Sequence, residues 1–244
     1  MTHVHVVGLG MGPQHLTAEG VAALAGSDYV VAVRKGEHDE LLEVRRRVAA
    51  AHGLDVAEVV DPERDRDDPS DYPGAVSAWH DARADAWGEV LAARGGTATY
   101  LVWGDPSLYD STLRVLEQVA ARRGDLTWDV VPGISAPQVL AARHRVVLHE
   151  VGQPVHLTTA RRLVDDVAAG QQNLLVMLGS AASLDALDDL PDWRIWWGAN
   201  LGGTGERLVA GRVAEVVGTV RAARAAAREE AGWVMDCFLL RAPR

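Results

Sequence analysis

Cysteine is almost absent from this chain, with Cys237 alone among 244 residues. One cysteine excludes an internal disulfide and cannot make a thiolate metal site unaided. Long apolar runs are missing as well. None approaches the roughly 20 residues needed to span a bilayer, so no membrane partner is expected. The N-terminus enters a strand-like run (His3 to Val7) without a basic region and a long apolar stretch; no signal peptide is expected, and cytoplasm is the default. Positive charge is short: 24 Lys and Arg against 34 Asp and Glu leave a formal net charge of −10. That balance opposes non-specific binding to nucleic acid or anionic membrane, and any polyanionic ligand must meet a local basic patch. Catalytic signatures are missing too: there is no G-x-S-x-G, no H-E-x-x-H and no Walker loop.

What remains is a globular composition, 48% hydrophobic and 24% charged, long enough to bury a sizeable core. Strand-like and helix-like segments alternate. Tyr29 to Val33, Thr99 to Trp103 and Thr127 to Val131 follow the first strand, with helices expected at Thr17 to Ala25, Glu37 to Ala51 and Ala75 to Ala93. In the last of these, Trp79, Ala82, Ala86 and Val90 have the spacing of one buried face. Such alternation predicts a mostly parallel sheet with helices on its faces. Beyond residue 145, strands at Val155 to Thr158, Leu174 to Leu178, Arg194 to Trp197, Arg207 to Ala210 and Trp233 to Leu240 crowd together, which favours some antiparallel pairing. Helices are expected near Ala160 and Ser180 and over Val213 to Ala231, whose Ala/Arg/Glu run reads as a solvated face. The expected class is α/β, with mixed, mostly parallel sheets in two domains, 1–145 and 146–244, meeting at a cleft. The acidic stretch Asp61 to Pro73 lacks the spacing of a calcium loop and reads as a connection.

The most informative stretch is TYLVWGDPSLYDSTLRVLEQV, residues 99–119. A β-prone run stops at Gly104-Asp105-Pro106 and a helical pattern follows. In open α/β sheets, ligands bind outside such strand ends. Gly8, Gly10 and Gly12 follow the first strand, but the third comes one residue early for G-x-G-x-x-G. Asp28 precedes the second strand instead of ending it, so a nicotinamide site is not expected. VVPGISAPQVLAARHR supplies another strand end at Pro132-Gly133, with Ser135 placed to cap a helix. Basic pairs stand at Arg34-Lys35, Arg143 to Arg145 and Arg161-Arg162, suited to a carboxylate-rich ligand. His3 and His5 share a strand face, an arrangement more often structural than metal-binding, and no metal site is expected. Trp196 and Trp197 could stack on a flat ligand, though core packing is their commoner use.

Together, GLGMGP, VWGDPSLYDST, VVPGISA and the closing GWVMDCFLLR resemble the tetrapyrrole methylase family, in order and over essentially the whole chain. The resemblance implies two α/β domains, a homodimer, and S-adenosylmethionine folded in the inter-domain cleft, leaving as S-adenosylhomocysteine. It implies donor contacts from Gly104, Asp105 and Leu108, from Ser135 and Ala136, and from Leu178, Ala199 and Gly211. Gly10 and Gly12 would face the tetrapyrrole, and Arg161 and Arg162, with Arg34 and Lys35, would meet its carboxylates. The blocks VWGDPSLYDSTL, TTARRL, IWWGANLG and GWVMDCFLLR resemble most the members that methylate precorrin-5 at ring carbon 1 with loss of its acetyl group as acetate. Acetyl removal needs an activated water, for which His149 and Tyr109 are candidates.

The chain departs from the family in places. An acid or Asn is missing between Gly12 and Pro13, Ala160 replaces a glycine, His149 an Asn, and the turn at Arg212 lacks its threonine. Two other readings therefore stand: a methylase of this fold with a different substrate, corrinoid or not, and a non-catalytic tetrapyrrole or adenosyl-ligand binder. Turnover of labelled donor on corrin precursors separates them.

Overall fold

The computed structural model describes residues 1–34, 39–62 and 72–243. Lys35 and most of the acidic stretch lie outside the described residues. The chain divides into two compact units, Met1–Ser135 and Ala136–Arg244. This division falls ten residues before the 145/146 boundary read from the sequence. The difference is helix α5 (Ala136–His144), which packs on strands of the second unit.

The first unit is built on five parallel strands: β1 (Thr2–Gly10), β2 (Tyr29–Arg34), β3 (Asp55–Val60), β4 (Gly96–Trp103) and β5 (Leu126–Val131), ordered β3-β2-β4-β1-β5. Four helices connect them: α1 (Ala18–Ala25), α2 (Glu40–Ala51), α3 (Tyr72–Arg94) and α4 (Thr112–Arg122). Strand alternation sends Val4, Val6, Tyr100 and Val102 to one face, against Trp87, Leu91, Val115 and Leu116 of α3 and α4. Val7, Leu9, Val30 and Leu101 face the other way, with Leu24 of α1 and Val48 of α2. α1 starts where the Thr17 hydroxyl accepts the Gly20 N–H, one of the donors a helix leaves unpaired at its first turn.

Two expectations need correction here. β3 was not foreseen: its six residues are an edge strand in which only Ala57 and Val59 are buried, too short an alternation to stand out. The buried face of α3 is also rotated from the one expected. Ala84, Trp87 and Leu91 are buried, Ala86 and Val90 are partly so, and Ala82 is exposed. The cause is Arg83, an inward-facing charge that an apolar count assigns to solvent. Its Nε lies 2.9 Å from Asp61 Oδ1, and its Nη1 donates to Ser111 Oγ at 2.6 Å. The guanidinium packs over the Trp79 and Trp87 rings, 4.5 and 4.9 Å from their centroids. Desolvation would make such a charge costly, so pairing is what keeps it inside.

In the second unit the strands β6 (His156–Thr159), β7 (Asn173–Met177), β8 (Arg194–Ala199), β9 (Arg207–Arg212) and β10 (Asp236–Arg241) order as β6-β7-β10-β8-β9. Only β6 and β7 run parallel; the other pairs are antiparallel, as the crowding of strands predicts. Helices α6 (Leu163–Ala168), α7 (Ala181–Asp185) and α8 (Val213–Ala231) cover one face around Trp197, Phe238 and Leu240. α5 covers the other, its Leu140 packing where Gly198 has no side chain. Trp197 is a core residue and does not stack on a ligand.

Candidate functional site

The topology of the first sheet places a crevice. The chain leaves β1 toward β2 on one side and leaves β4 toward β5 on the other, so neighbours β1 and β4 form a switch point. Ligands of open α/β sheets bind at the carboxyl ends of the strands there. Three loops meet at that edge with their backbones in close approach. Gly10 and Gly104 exchange hydrogen bonds, N–H to O, of 3.1 and 2.9 Å. A Cβ on Gly133 would overlap the Gly104 carbonyl and stand 2.8 Å from Gly8 C and Cα. Glycines at 8 and 133 are thus required by the contact between loops, a reason distinct from ligand access. At Gly10 the place of a side chain is filled by His15 Cβ, and at Gly12 it lies 2.6 Å from Gln14 Oε1. Gly104 differs: only Met11 Sδ, 3.8 Å away, borders the side-chain position.

Asp105 ties these loops. Its Oδ2 accepts the Gly133 N–H at 2.9 Å, and its Oδ1 accepts the Ser107 N–H at 2.8 Å and the Ser107 hydroxyl. Partial burial acts to raise the carboxyl's pKa, but the Ser107 and Gly133 hydrogen bonds outweigh it and hold the group below its ordinary 3.8. An Asp105→Asn change turns an acceptor into a donor facing other donors, and is expected to cost about 1–2 kcal/mol at neutral pH after solvent screening. The folded-state value is depressed, so the contribution is complete above pH 3.8 and fades as pH falls through the lower folded value. Urea melts of both proteins at about pH 6 and about pH 3 check this; an unchanged gap contradicts it.

Around this edge stand Leu108, partly buried, and the exposed apolar side chains of Tyr109 and Ile134; Ser135 is buried just before α5, and Ala136 begins that helix. Tyr109 has φ 51°, in the left-handed region where non-glycine residues are strained. Such strain persists where surrounding structure imposes it, commonly at ligand sites.

In the second unit, β6, β7 and β8 all point to one edge. Arg161 and Arg162 follow β6 in a turn of 3-10 helix and are exposed; Arg162 Nη2 donates to Asp166 Oδ1 at 3.2 Å. Leu178 follows β7 with φ 55° and is exposed, while Ala199 ends β8, buried, before Asn200 at φ 48°. Beneath both loops lies Asp236. Its Oδ2 accepts Trp197 Nε1–H and Arg224 Nε–H, each at 3.1 Å, and its backbone carbonyl accepts the Gly179 N–H. Next to it, the Met235 carbonyl accepts the Asn200 N–H at 2.8 Å, and the Met235 N–H donates to Asn200 Oδ1 at 3.0 Å. Burial pushes the Asp236 carboxyl up, against the nearby Arg224 charge. In the sequence the only signal for this residue is a lone acid inside the otherwise apolar run VMDCFLL.

Other candidates fall elsewhere. Gly211 pairs with Ile195 at the start of β8, whereas Ala199 pairs with Arg207. Four residues of strand, ~13 Å, therefore separate Gly211 from the Leu178 edge. Its glycine is explained by Val216, whose Cγ1 would stand 2.5 Å from a Cβ. His149 is likewise at the opposite edge: Leu148 O accepts from Asn173 Nδ2 at the first residue of β7. A pocket lined by Glu150, Asn173 and Arg241 also lies there. Arg143 is paired with Glu206 at 2.9 Å, and Arg34 lies 3.7 Å from Glu58 at the end of β2.

Comparison with known proteins shows the family. The profile of the tetrapyrrole (corrin/porphyrin) methylases matches residues 3–217. A precorrin-6A synthase (deacetylating) of Sinorhizobium sp is 40% identical over 252 residues, covering 99% of this chain and 95% of the relative. Among solved structures, a cobalamin synthesis related protein (CobF) from Corynebacterium diphtheriae aligns with TM-score 0.82 and 33% identity over 99% of both chains. A uroporphyrin-III C-methyl transferase from Thermus thermophilus, complexed with S-adenyl homocysteine, shares the fold at TM-score 0.61 and 18% identity, over 98% of this chain and 97% of that one. The strand-end loops, the two five-stranded sheets and the full-length match have one reading: this chain belongs to the tetrapyrrole methylase family.

Proposed function

We propose that the protein is an S-adenosylmethionine-dependent C-methyltransferase of cobalamin synthesis, with the activity named for its Sinorhizobium relative. In that reaction ring carbon 1 of precorrin-5 is methylated and the acetyl group leaves as acetate, giving precorrin-6A. The observation that carries the reading is 40% identity sustained over 99% of the chain. The donor, when bound, supplies an electrophilic methyl on a sulfonium, and the tetrapyrrole supplies a nucleophilic carbon. No protein nucleophile is needed, which accords with the lack of any such constellation in the sequence.

The chain's own task is to hold donor and acceptor aligned and dry, with the reacting atoms about 3 Å apart. Gly104, Asp105, Leu108, Ser135 and Ala136 fit a donor cradle: the glycine leaves room, Asp105 locks the loops, and Ile134 and Tyr109 offer apolar surface. Leu178 and Ala199 are proposed as further donor contacts, and Gly211 is withdrawn by its position. Gly10, Gly12, Arg161, Arg162 and Arg34 are proposed toward the tetrapyrrole, with its carboxylates as the proposed partners of Arg161 and Arg162. Tyr109 remains for positioning the water that removes the acetyl group, and His149 does not. A homodimer belongs to the same proposal. Among the described residues no helix is long and apolar enough to cross a membrane.

The test is incubation of purified protein with precorrin-5 and methyl-labelled S-adenosylmethionine. Labelled precorrin-6A and an equivalent of acetate are expected. Replacing both Arg161 and Arg162 by alanine should raise KM for the tetrapyrrole while kcat is largely kept; an unaltered KM removes those two residues from the proposal. Label transferred only to another tetrapyrrole overturns the substrate, and donor binding without transfer to any overturns catalysis.

A further inference from the structure

A second cluster of chemistry-bearing side chains lies on the first sheet, in strands β1 and β5 below the loops. Parallel register pairs His3 with Thr127 and His5 with Asp129. Alternation along each strand then sends all four side chains to one face. This part of the face keeps its groups accessible: the side chains of His3, His5 and Asp129 are 34%, 19% and 53% exposed. We propose that His3, His5 and Asp129 form a binding site for a divalent late first-row transition ion of the zinc or nickel kind.

The geometry supports this in three ways. One ligand atom from each residue can be chosen so that all lie within 4.8 Å of one another. His3 Nε2 is 3.2 Å from Asp129 Oδ2, and His5 Nδ1 is 2.8 Å from Asp129 Oδ1. Ligand atoms about 2.1 Å from one tetrahedral ion stand about 3.4 Å apart, so these contacts must open by only about half an ångström to admit it. The donor set, two imidazoles and a carboxylate, suits borderline ions over calcium or magnesium, which favour oxygen. Finally, His3 Nδ1 lies 2.9 Å from Thr127 Oγ1, a second hydrogen bond that orients the ring and leaves Nε2 directed at the cluster. Three protein ligands on an open face leave positions for water. The ion would clip edge strand β5 to central β1 and stabilise the folded unit by mass action.

Untagged, chelator-stripped full-length protein titrated calorimetrically with zinc chloride and with nickel chloride tests the proposal. One ion per chain is expected, with a rise in melting temperature and no response to magnesium chloride. Asp129→Asn and His5→Ala should each weaken binding about a hundredfold, and Thr127→Val about tenfold. Circular dichroism of each variant establishes that it is folded; His3→Gln replaces any that is not. Absence of zinc and nickel binding by the folded wild type overturns the site, as does affinity retained in a folded His5→Ala or Asp129→Asn protein. Because metal binding is read without methyl transfer, its failure is distinct from failure of the proposed activity.

Discussion

Asp236→Ala protein is expected to be less stable than the wild type by about 3–5 kcal/mol, because it breaks a buried ion pair from one side. The carboxylate is fully buried and Arg224 is only 15% exposed, so deletion strands a guanidinium and the Trp197 Nε1–H without their acceptor. Those groups sit under the Leu178–Gly179 and Ala199–Asn200 loops, held by backbone hydrogen bonds to Met235 and Asp236. Removing the side chain also empties the space that Gly179 leaves for it. Urea denaturation followed by tryptophan fluorescence measures the loss, and a change under about 1 kcal/mol rejects the account. Replacing both partners, as in Asp236→Leu with Arg224→Met, should recover part of the stability, since two uncharged side chains incur no desolvation of ions.

The second large effect is expected at Gly133. An alanine there would press its methyl into the Gly104 carbonyl and the Gly8 backbone, atoms that cannot rotate away. Overpacking typically costs about 1–3 kcal/mol, and rigid backbone on two sides puts this case at the upper end. The shift also moves the N–H that Asp105 accepts, so the loops of β1, β4 and β5 lose their common anchor. Gly133→Ala should therefore bind S-adenosylhomocysteine at least about tenfold more weakly, equivalent to about 1.4 kcal/mol. Gly124→Ala is the control, with no atom within 4 Å of the added methyl. Calorimetry and melting curves on both variants decide. Equal affinity in the two would mean that the glycine contact does not shape the donor site.

Much of the fold could be read from residues alone where local chemistry is strong. Gly104-Asp105-Pro106 and Pro132-Gly133 end strands as expected, and helix α8 spans Val213–Ala231, the range expected of its Ala/Arg-rich run. Edge strand β3 escaped because one half-buried alternation of six residues resembles loop. The face of α3 was misjudged because periodicity treats an arginine as solvated, and Arg83 is not. At the site, the loops of the first unit were legible and their partnership was not. Nothing local tells that Gly8, Gly104 and Gly133 touch each other. Gly211 was carried over from the resemblance, whereas antiparallel pairing of β9 with β8 sets it at the far edge of the second sheet; His149, a candidate for activating water, lies at that edge too, beside the first residue of β7.

By itself, the order of residues determined which segments become strands and helices, where the glycine-rich breaks fall, and which family the whole chain resembles. These depend on short-range sterics and on periodic burial, both of which operate within a few residues. Tertiary structure alone decided which distant groups meet: Asp105 with Gly133, Asp236 with Arg224 and Trp197, and Asp129 with His3 and His5. Those meetings follow from strand order and register, which set contacts across more than a hundred residues for the histidine pair. Strand order and register are set by how the apolar faces pack together, and no local stretch of the sequence carries that information.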